Sequence, residues 1–159
     1  MGTGKSAAGK LLAKKLKRKF LDLDSLIEHK VGKKISDIFS QDGEAFFRTL
    51  EKEAVREIAQ KENLVVACGG GVVIDQENII MLKASGRLIC LTARPEIILK
   101  RCQDSSDRPL LNVEEPQKEI ERLLALRAPF YAQAHMSIDA SDLTVSQVAD
   151  QILSFIHSS

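Results

Sequence analysis

The chain begins Met1-Gly2-Thr3-Gly4-Lys5-Ser6-Ala7, and its Gly4-Lys5-Ser6 step matches the end of a phosphate-binding P-loop, G-x-x-x-x-G-K-[ST]. Small residues let successive backbone N–H groups turn toward phosphate oxygens, and the helix that follows adds its positive N-terminal end. In such a loop Lys5 reaches the β- and γ-phosphates and the Ser6 hydroxyl binds Mg²⁺. The sequence therefore predicts a nucleotide-binding loop running directly into a helix, and an ordinary glycine-rich helix start is the simpler alternative.

The motif is incomplete at its start, because the first glycine of the pattern would lie two places before Met1. The buried strand that delivers such a loop would lie earlier still. That strand would bury about five apolar side chains worth about 1.5–3 kcal/mol each, and their loss would match the whole net stability of a typical domain. We therefore expect the native chain to begin upstream, with Met1 an internal methionine.

Composition restricts the class of protein. The 159 residues are 44% hydrophobic and 28% charged, as in ordinary soluble globular domains, and the formal net charge of +1 argues against a nucleic-acid surface. No apolar run in this sequence is long enough to span a membrane, and we expect no signal peptide. Three cysteines without metal-type spacing indicate reduced thiols. We expect one cytoplasmic domain over residues 1–159.

Helical and strand patterns alternate along the rest of the chain. Two continuous apolar runs, 64–68 and 88–91, predict parallel strands covered on both faces, and weaker strands are predicted at 20–24 and 136–139. Helices are predicted at 7–19, 25–31, 35–39, 44–61, 78–84, 95–102, 117–127 and 146–157. Ser25 is a candidate cap of the second helix, and the fourth is expected to face inward with Phe46, Phe47, Leu50, Ala54 and Ile58. This alternation predicts an α/β fold with a parallel sheet, which binds ligands beyond the carboxyl ends of its strands. Ser6, Asp24 and a three-glycine turn fall at such ends.

Six short motifs follow one another along almost the whole chain. They are Gly4-Lys5-Ser6, Asp22-x-Asp24, Asp42-Gly43-Glu44 leading to Phe47-Arg48, Gly69-Gly70-Gly71, Arg108-Pro109-Leu110-Leu111 and Arg127-x-x-x-Tyr131. Each motif alone is weak, but the ordered set resembles the shikimate kinase family. The resemblance implies a P-loop NTPase-like three-layer sandwich with sheet order 2-3-1-4-5, of which strand 1 is missing here, and a mobile lid at about 103–116.

The resemblance also implies an activity. Members of this family transfer the γ-phosphoryl group of ATP to the 3-hydroxyl of shikimate, giving shikimate 3-phosphate and ADP on the route to chorismate and the aromatic amino acids. It implies ATP as co-substrate, Mg²⁺ as cofactor, shikimate as the other partner, no membrane or nucleic-acid partner, a cytoplasmic location and a monomer.

Substrate-binding roles carry over by motif. Arg48 and Arg127 match two arginines that hold the substrate carboxylate, for which the planar guanidinium is suited. Glu51, one turn after Arg48, is placed to hold that guanidinium; an ordinary helix-surface ion pair is the alternative. Gly69, Gly70 and Gly71 would let the backbone approach the substrate without side-chain clash. The substrate set is completed by Asp24.

Catalytic and nucleotide-binding roles carry over in the same way. Asp24 matches the carboxylate that orients the reacting hydroxyl and takes its proton, and Asp22 matches one that acts near Mg²⁺ through water. Arg108 matches the lid arginine over the transferring phosphates, and Arg101 matches a position near the adenine. The ATP site is predicted from Gly2, Thr3, Gly4, Lys5, Ser6, Ala7, Arg101 and Arg108. The catalytic set is Lys5, Asp24 and Arg108.

Two alternatives stay open at this stage. A related P-loop kinase for another small hydroxylated metabolite, such as gluconate, would share the nucleotide loop. Paired arginines favour a carboxylated acceptor but do not choose among such acids. The second alternative is an N-terminally truncated, inactive fragment. The segment 140–143 also lacks the arginine that some relatives use against the adenine, which leaves the base contacts open.

Overall fold

A computed structural model describes residues 2–102 and 113–158. The helices in these ranges are α1 (Lys5–Leu16), α2 (Leu23–Val31), α3 (Ile35–Gln41), α4 (Glu44–Ala59), α5 (Gln76–Ser85), α6 (Pro95–Cys102), α7 (Pro116–Tyr131) and α8 (Val145–His157). The strands are β1 (Lys19–Asp22), β2 (Leu64–Ala67), β3 (Ile89–Thr92) and β4 (Met136–Asp139), and a 3-10 turn spans Val72–Ile74. None of the described helices has both the length and the hydrophobicity needed to cross a bilayer.

The four strands form two parallel pairs. β1 pairs with β2, with Asp22 opposite Ala67, and β3 pairs with β4, with Ile89 opposite Met136. A cavity of about 660 Å³, lined by residues of both β2 and β3, lies between the pairs. In the expected order 2-3-1-4-5, β1 and β2 correspond to strands 2 and 3, and β3 and β4 correspond to strands 4 and 5. The predicted parallel α/β fold is confirmed.

Apolar residues on the two faces of the strands belong to separate cores. Val66 packs against the larger core, which includes Leu23 and Val55 at 0% exposure, whereas Val65 packs against a second core that contains Ala149. Because successive strand residues point to opposite faces, this alternation means that helices cover β2 on both sides. The apolar run 64–68 was therefore correctly interpreted as a strand covered on both faces, and the strands form the middle of three layers.

The end of β1 differs from the prediction. Strand 20–24 was expected, but β1 ends at Asp22, and the Asp22 side chain accepts hydrogen bonds from the backbone N–H groups of Asp24 and Ser25 at 3.1 and 3.4 Å. The cap of α2 is therefore Asp22 and not Ser25, as an aspartate is a preferred N-cap residue. Asp24 consequently lies in the first turn of a helix, next to its positive end.

Two helices also depart from their predicted forms. α7 continues to Tyr131, one turn past the expected end at Arg127, although Pro129 lies inside it. In α4 the expected inward residue Phe46 is 43% exposed, while its neighbour Phe47 is buried. The first difference matters for the site, because it places Tyr131 on the same helix face as Arg127.

Candidate active site

The P-loop adopts the backbone that its glycines allow. Gly2 and Gly4 have positive φ angles of 61° and 83°, and α1 begins directly after them at Lys5. A Cβ atom at Gly2 would come within 2.8 Å of the Cys102 sulfur and 3.0 Å of Ile98 on α6. The loop therefore runs into a helix as predicted, and α6 packs against it closely enough to require glycine.

Ser6 and Asp22, the two predicted metal residues, are brought together. The Ser6 hydroxyl donates a hydrogen bond of 2.9 Å to Asp22 Oδ2, which joins the first turn of α1 to the end of β1. Hydroxyl and carboxylate oxygens are the ligands that Mg²⁺ prefers, and magnesium is commonly held by few protein groups together with phosphates. The donor set fits a nucleotide-bound magnesium ion.

Asp24 lies in a partly desolvated position beside these groups. Burial raises the pKa of its carboxyl, and the neighbouring Asp22 carboxylate raises it further, while the nearby Lys5 ammonium works in the opposite direction. A Cβ atom at Gly69 would lie 3.2 Å from Asp24 Oδ1, so this carboxylate rests against the glycine turn formed by Gly69, Gly70 and Gly71. A carboxylate with a raised pKa next to the P-loop lysine suits proton acceptance.

The Arg48–Glu51 pair differs from an ordinary surface ion pair. Arg48 Nη1 donates to Glu51 Oε2 at 2.7 Å, and the Glu51 residue is only 1% exposed. Burial raises the pKa of Glu51, and the Arg48 charge opposes that rise. The guanidinium also bonds Glu44 at 3.0 Å and lies over the Phe47 ring at 5.2 Å. Several contacts thus fix the orientation of Arg48.

Arg127 is a buried cation with an unused donor. It is 7% exposed, and its Nε–H has no hydrogen-bond partner among the described residues. Burial raises the pKa values of Glu51 and Tyr131, and the charge of the nearby Arg127 opposes both rises. Because an unpaired buried donor costs about 1–3 kcal/mol, acceptance of this Nε–H by a bound anion would be favourable.

The glycine turn separates the two halves of this arrangement. A Cβ atom at Gly71 would lie 2.6 Å from both Nη1 and Nη2 of Arg48, although the φ of Gly71 is an ordinary −92°. The need for glycine here comes from close approach and not from backbone conformation. The described structure thus brings Lys5, Ser6, Asp22, Asp24, Arg48, Glu51, the glycine turn and Arg127 to the carboxyl ends of β1 and β2.

Replacing Gly71 with alanine should therefore displace the Arg48 guanidinium. If Arg48 binds the acid substrate, we expect the KM for that substrate to rise about 10- to 100-fold, which corresponds to one lost charge-assisted hydrogen bond. The KM for ATP should stay within about twofold. Gly86→Ala is the matched control, since a Cβ atom there meets nothing within 4 Å. An unchanged acid KM in Gly71→Ala would contradict the contact.

Arg101 lies in the last turn of α6, the helix that packs against Gly2. Its Nη2 donates to the carbonyl oxygens of Ala140 and Ser141 at 3.0 and 3.4 Å, which ties α6 to the loop after β4. Arg94 reinforces this link through a two-point ion pair with Asp142 at 2.8 and 2.9 Å. Sequence reasoning missed the Arg94 pair, because its two members are 48 positions apart. The role of Arg101 near the adenine stays a prediction.

Arg108 lies outside the residues that the structure describes, as does most of the lid predicted at 103–116. Two side chains that hydrogen-bond the backbone at the glycine turn or just after it carried no predicted role. Tyr131 belonged to a quoted motif, but its bond to the Gly70 carbonyl was not foreseen. Asn78 gave no signal beyond being a polar residue in a helical pattern, yet it is 1% exposed.

Known proteins resemble the chain over nearly its whole length. The family model described as shikimate kinase matches residues 1–157. The shikimate kinase of Caldanaerobacter subterraneus subsp. tengcongensis is 46% identical over 153 residues, which are 96% of this chain and 90% of that protein. The shikimate kinase of Acinetobacter baumannii in complex with shikimate has a TM-score of 0.96 at 38% identity, over 99% of this chain and 89% of that one. The Aquifex aeolicus enzyme has a TM-score of 0.86 at 33% identity, over 99% and 92%.

The family match and the site geometry agree. The P-loop, the two aspartates, the Arg48–Glu51 pair and the glycine turn follow in the expected order and meet at one edge of the parallel strands. With a family match over residues 1–157 and relatives above 40% identity, the chain belongs to the shikimate kinase family.

Proposed function

We propose that the described site binds shikimate through Arg48 and Arg127 and directs its 3-hydroxyl at Asp24 for phosphorylation by ATP. The family is one of ATP-dependent phosphotransferases that act on an alcohol, and the chain is such a kinase. The observation that carries the residue assignment is the unpaired Nε of buried Arg127 on the same side as the Asp24 carboxylate and the P-loop lysine. A carboxylated alcohol can bind Arg127 through its carboxylate and present its hydroxyl to Asp24.

In the proposed reaction each residue has one task. The hydroxyl oxygen attacks the γ-phosphorus, Asp24 accepts the hydroxyl proton, and the bond between the γ-phosphorus and the bridging oxygen breaks to release ADP. Lys5 neutralises charge on the phosphates, and the amides of the P-loop hold them. Arg48 and Arg127 keep the acid end in place, so that proximity and orientation supply a large part of the rate enhancement.

Ser6 and Asp22 would hold Mg²⁺ in this proposal, with Asp22 acting through water. When bound, the metal neutralises phosphate charge and orients the β- and γ-phosphates. Arg108 as the lid arginine, closure at 103–116 and Arg101 beside the adenine are further proposals. We also propose a cytoplasmic monomer of one domain, with ATP, ADP and shikimate as its small-molecule partners. The net charge of +1 supports the lack of a nucleic-acid partner.

Coupled ADP release tests the acceptor. Shikimate should give the highest kcat/KM in a panel that also contains gluconate, quinate and other hydroxy acids at equal concentration. A preference for gluconate would instead support the related-kinase alternative. Methyl shikimate is a matched control, because it keeps every hydroxyl but lacks the carboxylate charge that Arg48 and Arg127 would bind. Equal kcat/KM for the ester and the acid would contradict the arginine assignment.

Nucleotide binding should stabilise the chain against heat. MgADP at 100 times its Kd adds about 2.7 kcal/mol, which corresponds to an increase in Tm of about 5–11 °C for a domain of this size. Lys5→Ala should abolish most of this shift, while Lys14→Ala, an exposed lysine on the same helix, should retain it. Absence of any shift in the unaltered chain at millimolar MgATP and MgADP would favour the inactive-fragment alternative.

A further inference from the structure

Side chains from two separate helices hydrogen-bond the backbone of the glycine turn and of the residue just after it. The Tyr131 hydroxyl on α7 donates a hydrogen bond of 2.9 Å to the Gly70 carbonyl. The Asn78 amide on α5 donates one of 2.9 Å to the Val72 carbonyl, just after the turn. Consecutive glycines have the greatest backbone freedom of any residues, so a defined position for such a turn depends on contacts of this kind.

This turn lies directly against two functional groups. Gly69 lies against Asp24 and Gly71 lies against the Arg48 guanidinium, at the approach distances given above. The bonds within the turn, Val72 N–H to the Gly69 carbonyl at 3.2 Å and Ile74 N–H to the Gly71 carbonyl at 3.0 Å, set its local shape only. They do not fix where the turn stands relative to α2 and α4.

Both fastening side chains are suited to the task by their surroundings. Asn78 is 1% exposed and its Oδ1 has no hydrogen-bond partner among the described residues, so the bond to Val72 is the polar contact that the structure gives this buried amide. Burial raises the pKa of Tyr131, although the Arg127 charge opposes the rise, so the hydroxyl remains a donor at neutral pH. Tyr131 also lies beside Arg127 on α7.

We propose that Tyr131 and Asn78 are positioning residues that hold the glycine turn in a fixed place between Asp24 and Arg48. Tyr131 also links this turn to α7, the helix that carries Arg127. Arg48 and Arg127 therefore keep a constant separation. The inference rests on the proposed function, and it adds two residues that act on the substrate site without touching the substrate. A displacement of about 1 Å at such a site is enough to change activity markedly.

Tyr131→Phe tests the inference, because it removes one oxygen atom and keeps the ring in place. We expect the KM for shikimate to rise about 5- to 15-fold, the magnitude of one lost buried hydrogen bond, with the KM for ATP within twofold of the unaltered value. Thr92→Val is the matched control, since it removes another part-buried hydroxyl that donates to a backbone carbonyl, that of Ile138. Equal shikimate KM values in both variants would overturn the inference.

A double variant examines whether the bond acts through the turn. Tyr131→Phe loosens the turn, which lets an alanine at position 71 move away from Arg48. The combined rise in shikimate KM for Tyr131→Phe with Gly71→Ala should therefore be smaller than the product of the two single effects. A multiplicative combination would mean that Tyr131 acts on the site by another route, and would overturn the inference.

Hydrogen exchange measures the mobility of the glycine turn without an activity assay. In the ligand-free chain, the backbone amides at 69–74 should exchange faster in Tyr131→Phe than in the unaltered protein, whereas Thr92→Val should leave them unchanged. Asn78→Ser should act in the same direction if it folds. Unchanged exchange in Tyr131→Phe contradicts the positioning role whatever the substrate. An unaltered chain that binds nucleotide but does not phosphorylate shikimate contradicts the proposed function instead.

Discussion

Asp24→Asn is expected to lower kcat for shikimate phosphorylation by about 10²- to 10⁴-fold, because an amide cannot accept the proton that the hydroxyl loses. Asparagine has nearly the same shape, so shikimate and MgADP should still bind within a few-fold of the unaltered protein. Steady-state ADP release and calorimetric titration measure the two effects separately. Asp37→Asn, at an exposed aspartate in the first turn of α3, is the control and should change neither.

The same variant should be more stable at neutral pH. Burial and the Asp22 charge raise the pKa of Asp24 above 3.8, so the folded state holds this proton more tightly than the unfolded state does. The stabilisation from that proton is present below 3.8 and is lost as pH rises through the raised folded value. At pH 7 the ionised carboxylate therefore destabilises the fold, and Asp24→Asn should raise Tm there. The gain should shrink as pH falls toward 3.8.

The pH profile of the unaltered enzyme links these two effects. Because Asp24 must be ionised to accept a proton, kcat/KM should fall as pH drops through the raised pKa of the free enzyme. The midpoint should lie above 3.8. If Asp24→Asn is inactive but more stable, the Asp24 carboxylate serves catalysis and not the stability of the fold. A lower Tm for Asp24→Asn at pH 7 would indicate that the carboxylate mainly supports the fold.

Sequence reasoning predicted the parts of this site that depend on local pattern. The P-loop before a helix, the strand at Met136–Asp139 and the Arg48–Glu51 spacing are all short-range features, and the structure agrees with them. The parallel pairing also followed from the alternation of strands and helices. These features need only the periods of helices and strands and the preferences of single residues.

Contacts between distant elements could not be predicted in the same way. The cap formed by Asp22 competes with Ser25 three residues later, and both residue types are good caps, so only the folded turn distinguishes them. The Tyr131–Gly70 bond joins positions 61 apart, and it depends on α7 continuing past Pro129. Arg127 is buried by packing that its polar helix pattern does not show.

Arg127→Met is expected to lower kcat/KM for shikimate by about 10²- to 10⁴-fold, which corresponds to two charge-assisted hydrogen bonds to a carboxylate. Methionine fills a similar volume without charge. Methionine removes one of the cations beside the buried Glu51 carboxylate and leaves that carboxylate less compensated, so Tm should be unchanged or lower. The MgADP-dependent shift in Tm should remain, because in the proposed site Arg127 binds the acid substrate and Lys5 binds the nucleotide. Thermal unfolding and ADP release measure these quantities.

Arg127→Lys separates the effect of charge from that of geometry. Lysine keeps the positive charge but lacks the planar pair of donors that matches a carboxylate, so its kcat/KM should lie between those of the unaltered protein and Arg127→Met. For methyl shikimate, kcat/KM should be nearly the same in both variants as in the unaltered enzyme, because the ester has no carboxylate charge for residue 127 to bind. If Arg127→Met kept full kcat/KM with a lower Tm, the buried guanidinium would be a structural group of α7. The acid end of the substrate would then depend on Arg48 alone.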